Sequence, residues 1–207
     1  SPIDGTTNVT AQTVDQQNFE SSNLEFFADS NVTLQTGNGI NIDLTSNGNI
    51  VFYENAKVNI IGASSSNGSG EGYQGYAIST RNTSNFIMNK NSEINYTYTD
   101  PGNGNRNYAG LLWFQSAGST FNMSDGAKLT VNKNSHTGNN GLIHFNASGS
   151  FNMKNNSSIE MNVQDVSNGA TAVSLAASGS TFNVDEGSSL KTNFTSSGSG
   201  NNPVINL

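Results

Sequence analysis

The chain has no cysteine, only three prolines and one tryptophan, and charged residues occupy just 11% of its 207 positions. Without cysteine, a disulfide framework and a thiolate-bound metal are excluded. The net charge of −7 comes with no basic stripe, which argues against nucleic-acid binding. No apolar run approaches the roughly 20 residues of a membrane-spanning helix, so we expect no membrane insertion.

What the chain does contain is a repeat of three short stretches in which apolar and polar residues alternate. The first stretch recurs as Phe121–Met123, Phe151–Met153 and Phe182–Val184, and Asn, Gly, Ser and Asp separate the stretches. Asn suits tight turns because it tolerates left-handed backbone angles and bonds its own main chain. Three strands in each unit without a helical period are typical of a β-solenoid, in which equivalent residues stack in columns.

Four columns of inward-pointing residues run through the repeat, and every member except Thr192 is apolar or aromatic. The columns are Leu24, Ile50, Phe86, Phe121, Phe151, Phe182; Phe26, Phe52, Met88, Met123, Met153, Val184; Val32, Val58, Ile94, Leu129, Ile159, Leu190; and Leu34, Ile60, Tyr96, Val131, Met161, Thr192. The pattern predicts an all-β parallel β-helix of about six three-stranded rungs over residues 24–207. We expect residues 1–23 to form a lead-in or capping segment, and the chain to be part of a longer polypeptide.

Most outward positions have a structural explanation. Lys57, Glu93 and Lys128 form a column of alternating charge, which avoids stacking like charges and fixes the register. Outward asparagines, such as Asn122 and Asn152, are spaced to form amide ladders. These columns require no functional interpretation.

The third strand has a less ordinary outward face. If Phe114 and Phe145 point inward, alternation directs Leu111, Trp113, Leu142 and His144 outward, with Trp113 beside His144. A group of exposed apolar residues favours a binding face. The alternative is that a loop or a neighbouring segment covers Trp113. Both histidines, His136 and His144, are expected at the surface, and His144 would gain charge between about pH 7 and 5.

The two longest insertions, residues 64–75 and 100–108, lead into this face. They add candidate ligand-binding residues, namely Tyr73, Asp100, Arg106 and Tyr108, and Arg81 lies nearby in sequence. Aromatic faces with polar neighbours suit sugar rings, and Arg106 or Arg81 would receive the carboxylate of an acidic sugar.

Catalysis is not indicated. A pectate-lyase or glycosidase reaction needs clustered carboxylates, whereas the acids here are scattered and Asp125 serves a turn. We therefore expect a non-enzyme without a metal or cofactor. A polysaccharide lyase remains a third alternative.

Two stretches of the repeat resemble a known group of domains. They are Ser-Thr-Phe-Asn-Met-Ser-Asp-Gly-Ala-Lys-Leu-Thr-Val at 119–131 and Gly-Ser-Phe-Asn-Met-Lys-Asn-Asn-Ser-Ser-Ile-Glu-Met at 149–161. They are similar to the pectate-lyase-like adhesive domains of Gram-positive cell-wall proteins, including the binding regions of Lactobacillus serine-rich repeat adhesins. The resemblance implies a right-handed β-helix, export, cell-wall anchoring in a larger surface protein, and adhesion to host or plant polysaccharide or a glycoprotein glycan.

The first functional hypothesis is thus a surface adhesin domain that binds glycans through the third-strand face. The second is a homotypic adhesin, in which copies self-associate along a polar ladder face and drive aggregation or biofilm formation. The sequence does not separate the two.

Overall fold

The computed structural model describes residues 9–11, 16–19, 24–35, 41–44, 48–63, 76–99, 110–137, 141–167, 171–196 and 204–207. These residues form 21 strands and no helix, and all strand pairs are parallel. Three sheets run along the axis of a β-solenoid, so the predicted fold class is confirmed. The chain passes through the sheets in turn, one strand at a time, except where two consecutive strands lie in the second sheet.

The first sheet has six strands, which are the first strands of the six predicted rungs. They are β3 (Leu24–Phe26), β6 (Gly48–Phe52), β9 (Ser84–Met88), β12 (Ser119–Met123), β16 (Gly149–Met153) and β19 (Thr181–Val184).

The second sheet has eight strands, with β20 and β14 both paired to β17. They are β1 (Val9–Ala11), β4 (Asn31–Gln35), β7 (Lys57–Ala63), β10 (Glu93–Thr99), β13 (Lys128–Lys133), β14 (His136–Thr137), β17 (Ser158–Ser167) and β20 (Ser189–Ser196).

The third sheet has seven strands. They are β2 (Gln16–Phe19), β5 (Asn41–Leu44), β8 (Ile78–Thr80), β11 (Leu112–Phe114), β15 (Gly141–Phe145), β18 (Thr171–Ser174) and β21 (Ile205–Asn206). Because β1 pairs with β4 and β2 with β5, strand pairing extends into the segment expected to lead in or cap. The rung count therefore differs slightly from the predicted six.

All four inward columns have the predicted register. In the first column, for example, Phe86, Phe121 and Phe151 are direct partners across neighbouring strands. Column members in the first five rungs are buried, and the stacked phenylalanine rings within the first two columns have centroids 4.7 to 5.1 Å apart. Stacked rings contribute beyond the area that they bury, so the columns fix the rungs in register as well as filling the core.

A tight turn joins the first and second strands of most rungs. One residue of this turn has a positive φ in five rungs, at Asp29, Asn55, Asn91, Asp125 and Asn155. Asn and Asp tolerate this conformation better than other non-glycine residues. Their side chains also bond between rungs, since Asn55 Nδ2 donates to Asp29 Oδ1 at 3.0 Å and Asn155 Nδ2 donates to Asp125 Oδ1 at 3.0 Å. The abundance of Asn thus has a local cause in the turns.

Candidate binding faces

The third sheet places Trp113 beside His144, as predicted. The two residues are direct partners between β11 and β15, and their rings stack with centroids 4.4 Å apart and planes 18° from parallel. On the other side of Trp113 in the sheet lies the small side chain of Ser79 in β8. The predicted pair is therefore present, and its surroundings decide whether it is open.

Trp113 is not open. Only 5% of the residue is exposed, and the ring of the fully buried Tyr76 lies with its centroid 5.3 Å from that of Trp113. The Trp113 indole Nε1 donates to Gln115 Oε1 at 2.9 Å, and the Tyr76 hydroxyl donates to the carbonyl of Gly141. We call Tyr76, Trp113, Gln115 and His144 the Trp113 cluster. The expectation of an exposed tryptophan is wrong, because Tyr76 occupies the space over it.

Leu111 and Leu142 were also expected to point outward. Both are fully buried and belong to the main hydrophobic core, so the expectation that they form an exposed group is wrong. They lie side by side, with the Leu111 amide donating to the Leu142 carbonyl at 2.9 Å. Consecutive apolar residues at Leu111–Phe114 are typical of a parallel strand covered on both faces. This run indicated burial on both faces, whereas strict alternation predicted one exposed face.

His144 is half-buried, and its Nδ1 accepts a hydrogen bond from the Gly141 amide at 3.3 Å. Burial lowers the pKa of His144 from 6.5 to about 4, because desolvation penalises the charged imidazolium. The ring is therefore neutral between pH 5 and 7. The expectation that it gains charge in that range is wrong.

Of the remaining predicted residues, Arg81 lies in the described part of the chain. Arg81 is exposed just after β8, and its backbone carbonyl accepts a hydrogen bond from Ser116 Oγ at 2.7 Å. Tyr73, Asp100, Arg106 and Tyr108 lie outside the described residues, as do the two long insertions.

Sequence reasoning missed a buried basic pair. Lys133 Nζ lies 2.8 Å from His136 Nδ1 and 4.8 Å from the centroid of the Tyr98 ring. His136 was expected at the surface but is fully buried, and Lys133 is almost so. The signal was available, because the inward alternation of Leu129 and Val131 reaches Lys133 two residues later. Lys133 is the last residue of β13 and His136 the first of β14, and both strands pair with β17.

The outward faces of the first and second sheets carry amide ladders. On the first sheet, Asn152 Nδ2 donates to Asn122 Oδ1 at 3.2 Å, and Asn183 Nδ2 donates to Asn152 Oδ1 at 3.0 Å. On the second sheet, a matching ladder joins Asn132 and Asn162 at 3.0 Å and continues to Asn193 at 2.7 Å. The bonds hold each carboxamide in one orientation and present a fixed array of donors and acceptors.

The charged column on the second sheet contains weaker interactions than the amide ladders. Lys57 Nζ lies 3.7 Å from Glu93 Oε2 as predicted, with both side chains well exposed. An ion pair of this kind adds little stability. The amide ladders, rather than the charges, therefore define the chemistry of the outward face.

The described ranges contain neither a metal cluster nor a membrane-spanning helix. No three or more His, Cys, Asp or Glu side chains are grouped there as a metal site would need. None of those residues forms a helix long and apolar enough to cross a membrane.

Comparisons of the chain with protein-family models, with curated proteins and with solved structures found no match.

Proposed function

We propose that this chain is a non-catalytic adhesin domain that binds polysaccharide, and that it acts outside the cell as part of a wall-anchored surface protein. The observation that carries the proposal is the outward face of the second sheet. One of its columns presents an uncharged hydroxyl and three uncharged amides in register across successive rungs, at Thr97, Asn132, Asn162 and Asn193.

This face is suited to polyhydroxylated ligands. A carboxamide offers two donor hydrogens and two acceptor lone pairs, so it can meet a sugar hydroxyl in either role. Neighbouring rungs are spaced by about 4.8 Å, and the ladder bonds prevent the amides from turning away. A preorganised surface loses less entropy on binding than a mobile one. The buried Trp113 cluster offers no such open surface.

The test is a glycan array probed with the isolated domain, followed by titration with the polysaccharides that score. Specific binding to at least one polysaccharide, without cleavage, is the expected result. Absorbance from unsaturated products on incubation with pectin would instead support the lyase alternative. Binding to no member of the array would contradict the proposal of polysaccharide adhesion.

A second function, homotypic adhesion, is favoured by the sixth rung. Phe182, Leu190 and Phe194 are only partly buried there, whereas Phe151 and Ile159 in the rung before are buried, and Val184 is 38% exposed. Partly exposed apolar residues grouped on one rung favour association with another chain. Sedimentation over a concentration series separates the two functions: a monomer at every concentration supports polysaccharide binding, and reversible oligomers support self-association.

A further inference from the structure

A cleft of about 350 Å³ opens on the outward side of the second sheet, toward the ends of β10, β13, β17 and β20. Its outward-pointing polar residues include Thr97, Asn132, Asn134, Asn162, Gln164 and Asn193. The cleft crosses four rungs. At about 4.8 Å for each step between strands, it offers a path of roughly 14 Å along the solenoid axis.

One wall of the cleft is an amide ladder with unused hydrogen-bonding capacity. Asn162 Nδ2 donates one hydrogen to Asn132 Oδ1, and Asn162 Oδ1 accepts one hydrogen from Asn193 Nδ2. Since a carboxamide has two hydrogens and two lone pairs, these ladder bonds use half of what Asn162 offers. The other half belongs to a side chain that lines the cleft.

The cleft also coincides with an irregularity in the sheet. The register between β17 and β20 shifts between Val163 and Val166, and Asp165 within the shift has a φ of 54°. β-Bulges of this kind redirect side chains and are frequent beside binding and active sites. Here the bulge interrupts an otherwise regular face, with Gln164 exposed at its edge.

The chemistry of the walls is uncharged. Lys133 contributes to the lining but is buried, with its Nζ held against His136 and over the Tyr98 ring. The outward side chains are amides and hydroxyls, and the bulge itself carries an acid, Asp165. Among the described lining residues, the one cation, Lys133, is buried, so no exposed cation of the lining meets a ligand carboxylate. An apolar ligand would desolvate the amides without replacing their hydrogen bonds.

We propose that this cleft binds a neutral, hydroxyl-rich polysaccharide whose chain lies along the solenoid axis. The inference rests on the proposed function, to which it adds the surface, the class of glycan and the direction of the bound chain. It differs from the expectation of an acidic sugar held by Arg106 or Arg81, which stays a prediction.

The chain supplies a matched pair of variants. Asn162→Ala removes the central amide of the ladder in the cleft, and Asn152→Ala removes the central amide of the equivalent ladder on the first sheet. Both asparagines are half-buried and bond to one asparagine on either side. The two variants therefore lose similar folding contacts, and only the first loses a cleft group. Gln164→Ala is a further cleft variant that leaves the ladder intact.

Binding is measured by isothermal titration of wild type and the three variants with dextran and mannan as neutral probes and with polygalacturonate as the acidic probe. We expect a neutral probe to bind wild type, and Asn162→Ala and Gln164→Ala each to weaken that binding by about tenfold through lost hydrogen bonds. Asn152→Ala should bind within about twofold of wild type.

The outcomes distinguish a failure of this inference from a failure of the proposed function. If a probe binds and Asn162→Ala and Asn152→Ala bind it equally, the cleft is wrong and polysaccharide binding stands. If only polygalacturonate binds, the neutral class is wrong. If neither neutral probe nor polygalacturonate binds wild type, the inference fails, and an accompanying blank glycan array shows that the proposed function fails with it.

Discussion

The second and third sheets belong to the same coil but differ in how many of their faces are covered. Strand β10 of the second sheet alternates buried and exposed residues, with only Ile94, Tyr96 and Tyr98 buried. Strand β11 of the third sheet buries all three of its residues. The difference shows that alternation in the sequence reports exposure only where nothing packs outside the sheet. A run of apolar residues marks the covered strand.

The largest test of this difference is Trp113→Ala. We expect a loss of about 3–5 kcal/mol in unfolding free energy, because a buried indole that stacks on His144 and packs against Tyr76 is replaced by a cavity. Thr97→Ala, at an exposed outward position of the second sheet, should change it by less than about 0.5 kcal/mol. Denaturant unfolding measures both. Equal stability of the two variants would mean that the third sheet is open after all.

A smaller effect is expected from His144 as the pH falls. Its folded pKa of about 4 lies below the unfolded value near 6.5, so the unfolded chain binds more protons between these values. The stability that neutral His144 provides is complete above about pH 6.5 and is lost as the pH falls toward 4. It amounts to at most about 3 kcal/mol.

The measurement is the unfolding free energy of wild type and His144→Gln from pH 7 to pH 4. The difference between the two proteins should change with pH, because only wild type carries the titrating ring. A constant difference across the range would show that His144 is solvated, as an open third-sheet face requires.

The smallest change in stability is expected for a substitution on the second sheet. Glu93→Gln removes the exposed pair with Lys57 and should cost less than about 0.5 kcal/mol, and added salt should abolish even that. Thermal melting at low and high salt measures it. A cost above 2 kcal/mol would indicate that this outward face is more enclosed than its exposure suggests.

The rungs could be predicted from sequence because their spacing is fixed. From Phe121 to Leu129 and from Phe151 to Ile159 the separation is the same, so one register places both columns. The contact between Trp113 and His144 followed from the same register. Neighbours within a sheet are therefore accessible to sequence reasoning.

Residues that pack on the outer face of a sheet cannot be predicted from the sequence in the same way. Tyr76 lies just after a long insertion that has no counterpart of equal length in the other rungs, so no period places it over Trp113. The burial of Lys133 illustrates the opposite case. The alternation placed it inward, but its charge suggested the surface, and only its contacts with His136 and Tyr98 explain how the core accepts it.

The amide ladders have one further consequence, because all of them run the same way. In the pairs Asn85–Asn49, Asn95–Asn59, Asn152–Asn122 and Asn162–Asn132, the nitrogen of the later rung donates to the oxygen of the earlier rung. The coil thus has a chemical polarity, with amide hydrogens directed toward its N-terminal rungs and carbonyl oxygens toward its C-terminal rungs. Two coils that met end to end in the same sense would continue such a ladder, whereas a coil turned end for end would set oxygen against oxygen or amide hydrogen against amide hydrogen.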